Sequence, residues 1–427
     1  MAEQVNIRLL ALEYLLEVTE RGAMAHTALR GMLERHQYLE KRERAFPTRL
    51  CEGTLERLLE LDWIIDQVSK VPVRKQKPVI RGILRLSVYQ LKYMDQVPDA
   101  AVCSEAVRLA RAKGFSGLTG FVNGVLRNIA RRRPEAPPEA LAIRYSTPGW
   151  IVEQWTREYG AERAARMLED QYRKKPTTIC VNLLKITREK LKERLEAEGA
   201  EAHEVEGTAP ALAISGYDYL RALPSFHEGL FQVQDVSSMQ AALMAAPCPG
   251  DYCIDLCAAP GGKSLHLAEL LGGTGMVEAR DLTEEKIELI RENIQRSQLK
   301  NIHALCKDAT ISDEESFEKA DVVLADLPCS GLGVLNKKHD LKYRMTPAQQ
   351  DELVQLQRRI LDASWRYVKP GGTLLYSTCT VHWEENEGNV EWILGHYPFV
   401  LEEQKKMLPG IDPWDGFFIA KFRRKTE

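Results

Sequence analysis

The chain has 427 residues, 44% hydrophobic and 28% charged, with a formal net charge of −3. That length is too great for one ordinary core and implies two to four domains of roughly 100–200 residues. No window approaches about 18 uninterrupted apolar residues and the first residues lack a signal-type apolar core, so a soluble cytoplasmic protein with no membrane partner is expected.

Residues 1–135 form a first segment. Apolar residues recur at helical spacing in Ile7–Val18, Phe46–Ile65, Pro78–Met94 and Phe121–Ile129, which predicts an all-α domain. Pro47 and Pro78 are expected near helix starts, where a missing N–H costs little. Residues 1–140 hold 23 Lys and Arg against 17 Asp and Glu, about +6, whereas the remainder holds 35 against 44, about −9. A basic front half suits a phosphate backbone, although many solvated helical surfaces carry as much. The run Arg131-Arg132-Arg133-Pro134-Glu135-Ala136-Pro137-Pro138 reads as a linker.

Residues 141–228 mix the two periods and predict a small α+β module. Thr177–Val181 is a β-branched run, Arg188–Glu198 a charged helix stopped at Gly199, and Ala211–Ile214 a further apolar run. Residues 229–427 then alternate. Strands are predicted at Tyr252–Cys257, Gly275–Arg280, Ile302–Cys306, Val322–Ala325 and Thr373–Ser377, with helices at Ser264–Leu271, Glu284–Gln298 and Pro347–Val368. This rhythm predicts a parallel sheet covered by helices on both faces, with Phe399–Glu402 and Phe417–Phe422 as added strands at one edge.

Chemistry concentrates in that last segment. The loop Cys257-Ala258-Ala259-Pro260-Gly261-Gly262-Lys263 leaves the first strand and opens the first helix. Glycines admit close backbone approach, and a helix N-terminus offers unpaired N–H groups to an anionic group. Asp281 ends the second strand, where a carboxylate can accept the hydroxyls of a ribose. Asp308 follows the third strand and Asp326 the fourth, so all these groups project from carboxyl strand ends, where open α/β sheets bind ligands. A nucleoside cofactor accounts for the ordered set better than isolated polar loops do. Nine scattered cysteines with no C-x-x-C pair argue against a disulfide framework or a zinc knuckle, and no metal site is expected. Cys51, Cys103, Cys180, Cys253 and Cys306 are expected to pack as small hydrophobes. Cys329 and Cys379 stand at the ends of strands expected to be neighbours, so that both thiols face one pocket.

The glycine loop, Asp281, Asp308, the block Asp326-Leu327-Pro328-Cys329-Ser330-Gly331, and Ser377-Thr378-Cys379-Thr380 with Glu384-Glu385-Asn386 together resemble the RNA cytosine-5 methyltransferases, as does Asp415-Gly416-Phe417-Phe418. In the front half, Arg81–Leu91, Val97-Pro98, Glu105–Val107 and Phe121–Arg127 resemble the RNA-binding antiterminator NusB. The combination, with Gln234-Asp235, is similar to the bacterial Sun/Fmu-type 16S ribosomal RNA (cytosine-5)-methyltransferases. The resemblance implies a NusB-like RNA-binding domain, a small α+β RNA-binding module and a Rossmann-like S-adenosylmethionine-dependent catalytic domain. It further implies S-adenosyl-L-methionine bound by Cys257–Lys263, Asp281, Asp308 and Asp326. Small-subunit ribosomal RNA outside an assembled subunit is the implied partner, with no obligate protein partner. It makes Cys379 the nucleophile, Cys329 the residue assisting elimination, and Asp326 a neighbour of both cofactor and base. Thr380 stands where serine is common and Trp383 where proline is frequent; neither change removes a catalytic group.

Methylating C5 of cytosine requires a thiolate to add at C6, because C5 alone is a poor nucleophile; a carboxyl near N3 balances charge and a second group helps elimination. Two other classes remain. A non-enzymatic RNA-binding assembly factor would need neither cysteine, and an amino-group methyltransferase would show an Asn/Asp-Pro-Pro-aromatic loop where this chain reads Asp326-Leu327-Pro328-Cys329.

Overall fold

The computed structural model describes residues 6–36, 38, 41–205, 207–208 and 210–426. They gather into two compact units, one of Met1–Tyr172 with Leu335–Arg344, the other of Arg173–Val334 with Met345–Glu427.

The first unit is helical. Its central helix Pro78–Tyr93 opens on a proline and is buried on most sides, through Ile80, Ile83, Leu84, Leu86, Val88 and Leu91. Close packing depends on two glycines: a Cβ at Gly82 would lie 2.9 Å from a Leu12 methyl, and one at Gly53 would overlap the Tyr89 hydroxyl. Pro47, expected near a helix start, lies inside the helix Lys41–Glu56. The charged run from Lys41 to Arg44 extends that helix upstream without any apolar periodicity to announce it. The run expected as one helix from Phe46 to Ile65 breaks at Arg57, whose ψ is 17°, before the helix Leu58–Asp66. Periodicity also passed over Ala25–Arg35 and Asp99–Ala112.

Leu335–Arg344 joins this unit because its polar groups satisfy the unit's own backbone. Ala25 N–H donates to Asp340 at 3.1 Å, and Lys342 Nζ donates to the Glu56 carbonyl at 2.9 Å and to Gln171 Oε1 at 2.7 Å. Burial pushes the Lys342 ammonium well below its ordinary value.

The second unit contains two sheets. β1 (Thr177–Val181), β2 (Glu201–Glu204), β3 (Ala211–Ser215) and β4 (Phe231–Val233) form an antiparallel sheet in the order β2-β3-β1-β4. The larger sheet comprises β5 (Tyr252–Asp255), β6 (Met276–Asp281), β7 (Ile302–Cys306), β8 (Ala320–Asp326), β9 (Val368–Thr378), β10 (Phe399–Met407) and β11 (Phe417–Arg424). Its order is β10-β11-β9-β8-β5-β6-β7, parallel from β5 to β9, with β10 and β11 antiparallel at one edge.

Strand periodicity splits the core around the larger sheet in two. Along β8, Val322 and Leu324 pack on one face with helices Val236–Ala245, Gly262–Leu270 and Glu284–Ser297; Val323 and Ala325 pack on the other with Pro347–Ser364 and Glu387–His396. Both faces are apolar because both are covered. No helix among the described residues is long and apolar enough to cross a membrane.

Candidate active site

The glycine loop runs from β5 into the helix Gly262–Leu270. Gly261 caps that helix at φ 106°, a left-handed conformation that strains any side chain, and a Cβ there would press on Ile290 at 3.4 Å. Neighbouring elements pin the loop through its backbone: Ala258 N–H donates to the Arg280 carbonyl at 2.8 Å, and Ala259 N–H donates to Asp281 Oδ2 at 2.9 Å. Asn293 donates to the Pro260 carbonyl at 2.9 Å and Gln232 to the Gly262 carbonyl at 3.0 Å.

Asp281 is 4% exposed, and its Oδ1 accepts from Leu282 N–H and Lys286 Nζ at 2.7 and 2.8 Å. Asp308 follows β7 and accepts from the Thr310 hydroxyl and N–H, which hold its carboxyl below the ordinary value. Beside these acids stand two exposed apolar side chains, Leu282 and Ile311. Asp255, at the end of β5, is pushed up to about 7 by burial, against the hydrogen bond from Ser264 at 2.5 Å. Burial, with Asp255 and Asp281 nearby, also pushes the Cys257 thiol up. Gln232 Oε1, Gln234 Oε1 and Asp255 Oδ1 are buried without a hydrogen-bond partner among the described residues. The two glutamines adjoin Gly262, whose Cβ would lie 3.8 Å from Gln232 Oε1 and 3.9 Å from Gln234 Cδ.

The thiol end is built by β8 and β9, which are parallel neighbours with Asp326 opposite Ser377. Ser377 donates to Asp326 Oδ1 and Lys263 Nζ to Oδ2, each at 2.7 Å. The sulfurs of Cys329 and Cys379 lie 3.2 Å apart. Hydrogen bonding to Cys379 and then burial push the Cys329 thiol well above its ordinary value, so it stays protonated. Burial alone would lower Lys263, but Asp326, with Asp255 and Cys379, raises it and keeps it cationic.

A buried side-chain network stands behind the thiols. Glu385 accepts from Ser330 N–H at 2.9 Å, from the Ser330 hydroxyl at 2.5 Å and from Gln357 Nε2 at 3.1 Å. Gln357 also holds the Pro328 carbonyl at 2.8 Å, and Asn389 donates to Gln357 Oε1 at 2.7 Å. Thr380 bonds the Ser330 hydroxyl at 2.7 Å, so threonine supplies the hydroxyl there. Gly333 N–H donates to the Cys379 carbonyl at 3.1 Å, and a Cβ at Gly333 would lie 2.3 Å from the Gly416 carbonyl oxygen. The Cys379 backbone is thereby clamped.

Of the residues singled out from sequence, Lys263, Asp326, Cys329 and Cys379 form one cluster, and Ala259 with Asp281 a second; Asp308 bonds locally. Gln232, Gln357 and Asn389 escaped notice because a lone amide within a helix or short strand has no motif. Cys51, Cys103, Cys180 and Cys253 are buried, but Cys306 is exposed, its Sγ 3.4 Å from the Leu282 carbonyl. It ends the edge strand β7, which explains that correction. No group of three metal-ligating side chains capable of holding an ion occurs among the described residues.

Residues 242–423 match the family described as 16S rRNA methyltransferase RsmB/F, residues 5–131 the NusB family, and residues 147–217 an RsmF/B-like ferredoxin-like domain. The chain is 34% identical to the "Probable ribosomal RNA small subunit methyltransferase B" of Bacillus subtilis over 99% of its own length and 100% of that protein's. It is 32% identical to the "Ribosomal RNA small subunit methyltransferase B" of Salmonella paratyphi B, covering 100% of both chains. Among solved structures, PH0851 is similar at a TM-score of 0.84 and 27% identity, over 99% of this chain and 100% of that one. NSun6 from Pyrococcus horikoshii, solved with SFG, is similar at 0.58 and 25%, over 66% of this chain and 98% of that one.

Proposed function

Because the chain belongs to the RsmB/F family of 16S rRNA methyltransferases, we propose that it methylates C5 of a cytidine in small-subunit ribosomal RNA through a transient Cys379–C6 bond. Its fold is a NusB-type helical domain, a ferredoxin-like module and a Rossmann-like methyltransferase domain with a mixed sheet, and it is an S-adenosylmethionine-dependent rRNA methyltransferase. The observation that carries the finer reading is the 3.2 Å approach of two cysteine sulfurs beside a charged Lys263.

The residues present fit the cofactor. The first turn of the helix Gly262–Leu270 offers backbone donors to a carboxylate, within Cys257–Lys263. Asp281 retains one free lone pair, on Oδ2, for a ribose hydroxyl, and Leu282 and Ile311 offer apolar surface to a base ring near Asp308. The partnerless oxygens of Gln232 and Gln234 suit an ammonium. When bound, S-adenosylmethionine supplies an electrophilic methyl group on a sulfonium.

Lys263, kept positive by Asp326, favours the thiolate of Cys379. That thiolate bonds to C6, and the C5=C6 electron pair makes C5 the nucleophile. Asp326, oriented by Ser377 and Lys263, accepts a hydrogen bond from N3, which takes a proton from solvent as C6 is attacked and returns it when the C6–S bond breaks. After methylation the C5 proton passes to solvent, C5=C6 re-forms, and the C6–S bond breaks. The Cys329 S–H, within reach of Cys379 sulfur, stabilises the departing thiolate by hydrogen bonding and so assists elimination.

A cytosine in folded RNA must be unstacked to expose its C6 face. Residues 1–135 and 141–228 would hold the RNA while residues 229–427 receive one extruded base, in the cytoplasm and before subunit assembly. Incubating the protein with labelled cofactor and free small-subunit RNA tests this: label is expected at C5 of cytidine after nuclease digestion. Label on an exocyclic amine, or none, would refute it.

A further inference from the structure

The basic excess of the front half becomes specific on two packed helices. Asp99–Ala112 and Thr119–Arg132 border a groove of about 700 Å³ lined by Arg108, Arg111, Asn123, Arg127 and Arg131. Within this lining Asp99 is the one acid, and it already pairs with Arg133 at 2.8 Å. Arg108 pairs with Glu105 at 3.1 Å, and Arg131 donates to Asn128 at 2.8 Å. Arg111 and Arg127 are exposed and have no ion-pair or hydrogen-bond partner among the described residues. Two uncompensated guanidinium groups therefore face one concavity from opposite walls.

Gly120 and Gly124 lie on the second helix, and a Cβ at either would meet nothing within 4 Å. Arg127 and Arg131, four residues apart, are spaced about 6 Å along the axis, so successive anionic groups can be met in turn. Guanidinium forks pair bidentately with phosphate oxygens, and the amide of Asn123 adds donor and acceptor capacity for a ribose hydroxyl.

We propose that this groove binds the RNA phosphate backbone, with Arg111 and Arg127 as its principal contacts. The proposal rests on the reading that RNA is the substrate, and it places one hold on that RNA in the helical unit alone. Such contacts position the strand and carry no base specificity.

The test uses the full chain and a fluorescently labelled single-stranded fragment of small-subunit RNA. Anisotropy is measured across a salt series for the wild type, for R111Q/R127Q and for R111K/R127K. Dissociation constants for the Gln pair are expected to rise about tenfold, and the slope of log K against log salt to fall by about 1.4, at about 0.7 per lost phosphate contact. The Lys pair should retain most of the slope, kcat at saturating RNA and cofactor affinity should stay unchanged, and KM for RNA should rise. An unchanged slope with a folded Gln pair would overturn the groove, as would a groove that binds an acidic peptide but not RNA. Wild-type protein that transfers no methyl to C5 would instead sink the proposed reaction and leave the binding measurement to stand separately.

Discussion

The loops after β5, β6 and β7 and the loops after β8 and β9 share one edge of one sheet, yet they are built by opposite means. The first group is held through its loop backbone, which single side chains of neighbouring elements grip one at a time, as Asp281, Asn293 and Gln232 do, with a local bond from Thr310 to Asp308. It leaves buried oxygens on Gln232, Gln234 and Asp255 without partners among the described residues. The second is clamped by fully buried side chains that satisfy one another, centred on Glu385, which is 0% exposed. A surface that must accept a diffusible ligand keeps spare donors and acceptors. One that must hold two sulfurs 3.2 Å apart spends them internally.

The largest effect should separate these ends cleanly. Cys379→Ala should lower methyl transfer by roughly a thousandfold or more, with the cofactor dissociation constant unchanged by calorimetry. Weakened cofactor binding of similar size would mean the two groups of loops are not independent. Next comes the clamp itself: Glu385→Ala strands the Ser330 N–H and the Gln357 amide and should cost about 2–4 kcal/mol in chemical denaturation. A loss below about 0.5 kcal/mol would show that water replaces the carboxylate and that the network is dispensable. On the open side, Asp281→Ala removes a charged acceptor and should raise the cofactor constant by roughly ten- to a hundredfold, while the melting temperature changes less than for Glu385→Ala. An unchanged constant would refute its ribose role.

The smallest effect concerns Asp255. Burial pushes its carboxyl up to about 7, against about 3.9 in an unfolded chain. The native state thus binds the proton more tightly, so the associated stability is complete below about pH 4 and is lost as pH rises through about 7. Asp255→Asn should flatten the fall in melting temperature between about pH 4 and 7. Parallel curves for the two proteins would contradict this.

The open loops were legible in sequence and the clamp was not. A glycine that must adopt φ 106° and acids at successive strand ends follow from local chain geometry, so order along the chain reports them. Cys329 and Cys379 could be paired because parallel strands β8 and β9 are adjacent. Gln357, in the middle of the helix Pro347–Ser364, reaches Pro328 and Glu385 only through tertiary packing, and no spacing rule points to it. The same holds for Leu335–Arg344: its membership of the helical unit rests on bonds such as Lys342 to Gln171, across 171 positions of sequence. Pro47 shows the converse, a local signal overridden when flanking charged residues continued the helix.

The most direct test is to trap the covalent step. Cys329→Ala protein, mixed with cofactor and small-subunit RNA and run on a denaturing gel, should accumulate a band of protein bound to RNA. Mass spectrometry of the digested band should place the nucleotide on Cys379. A nucleotide on any other residue, or an adduct that persists in Cys379→Ala, would contradict the account.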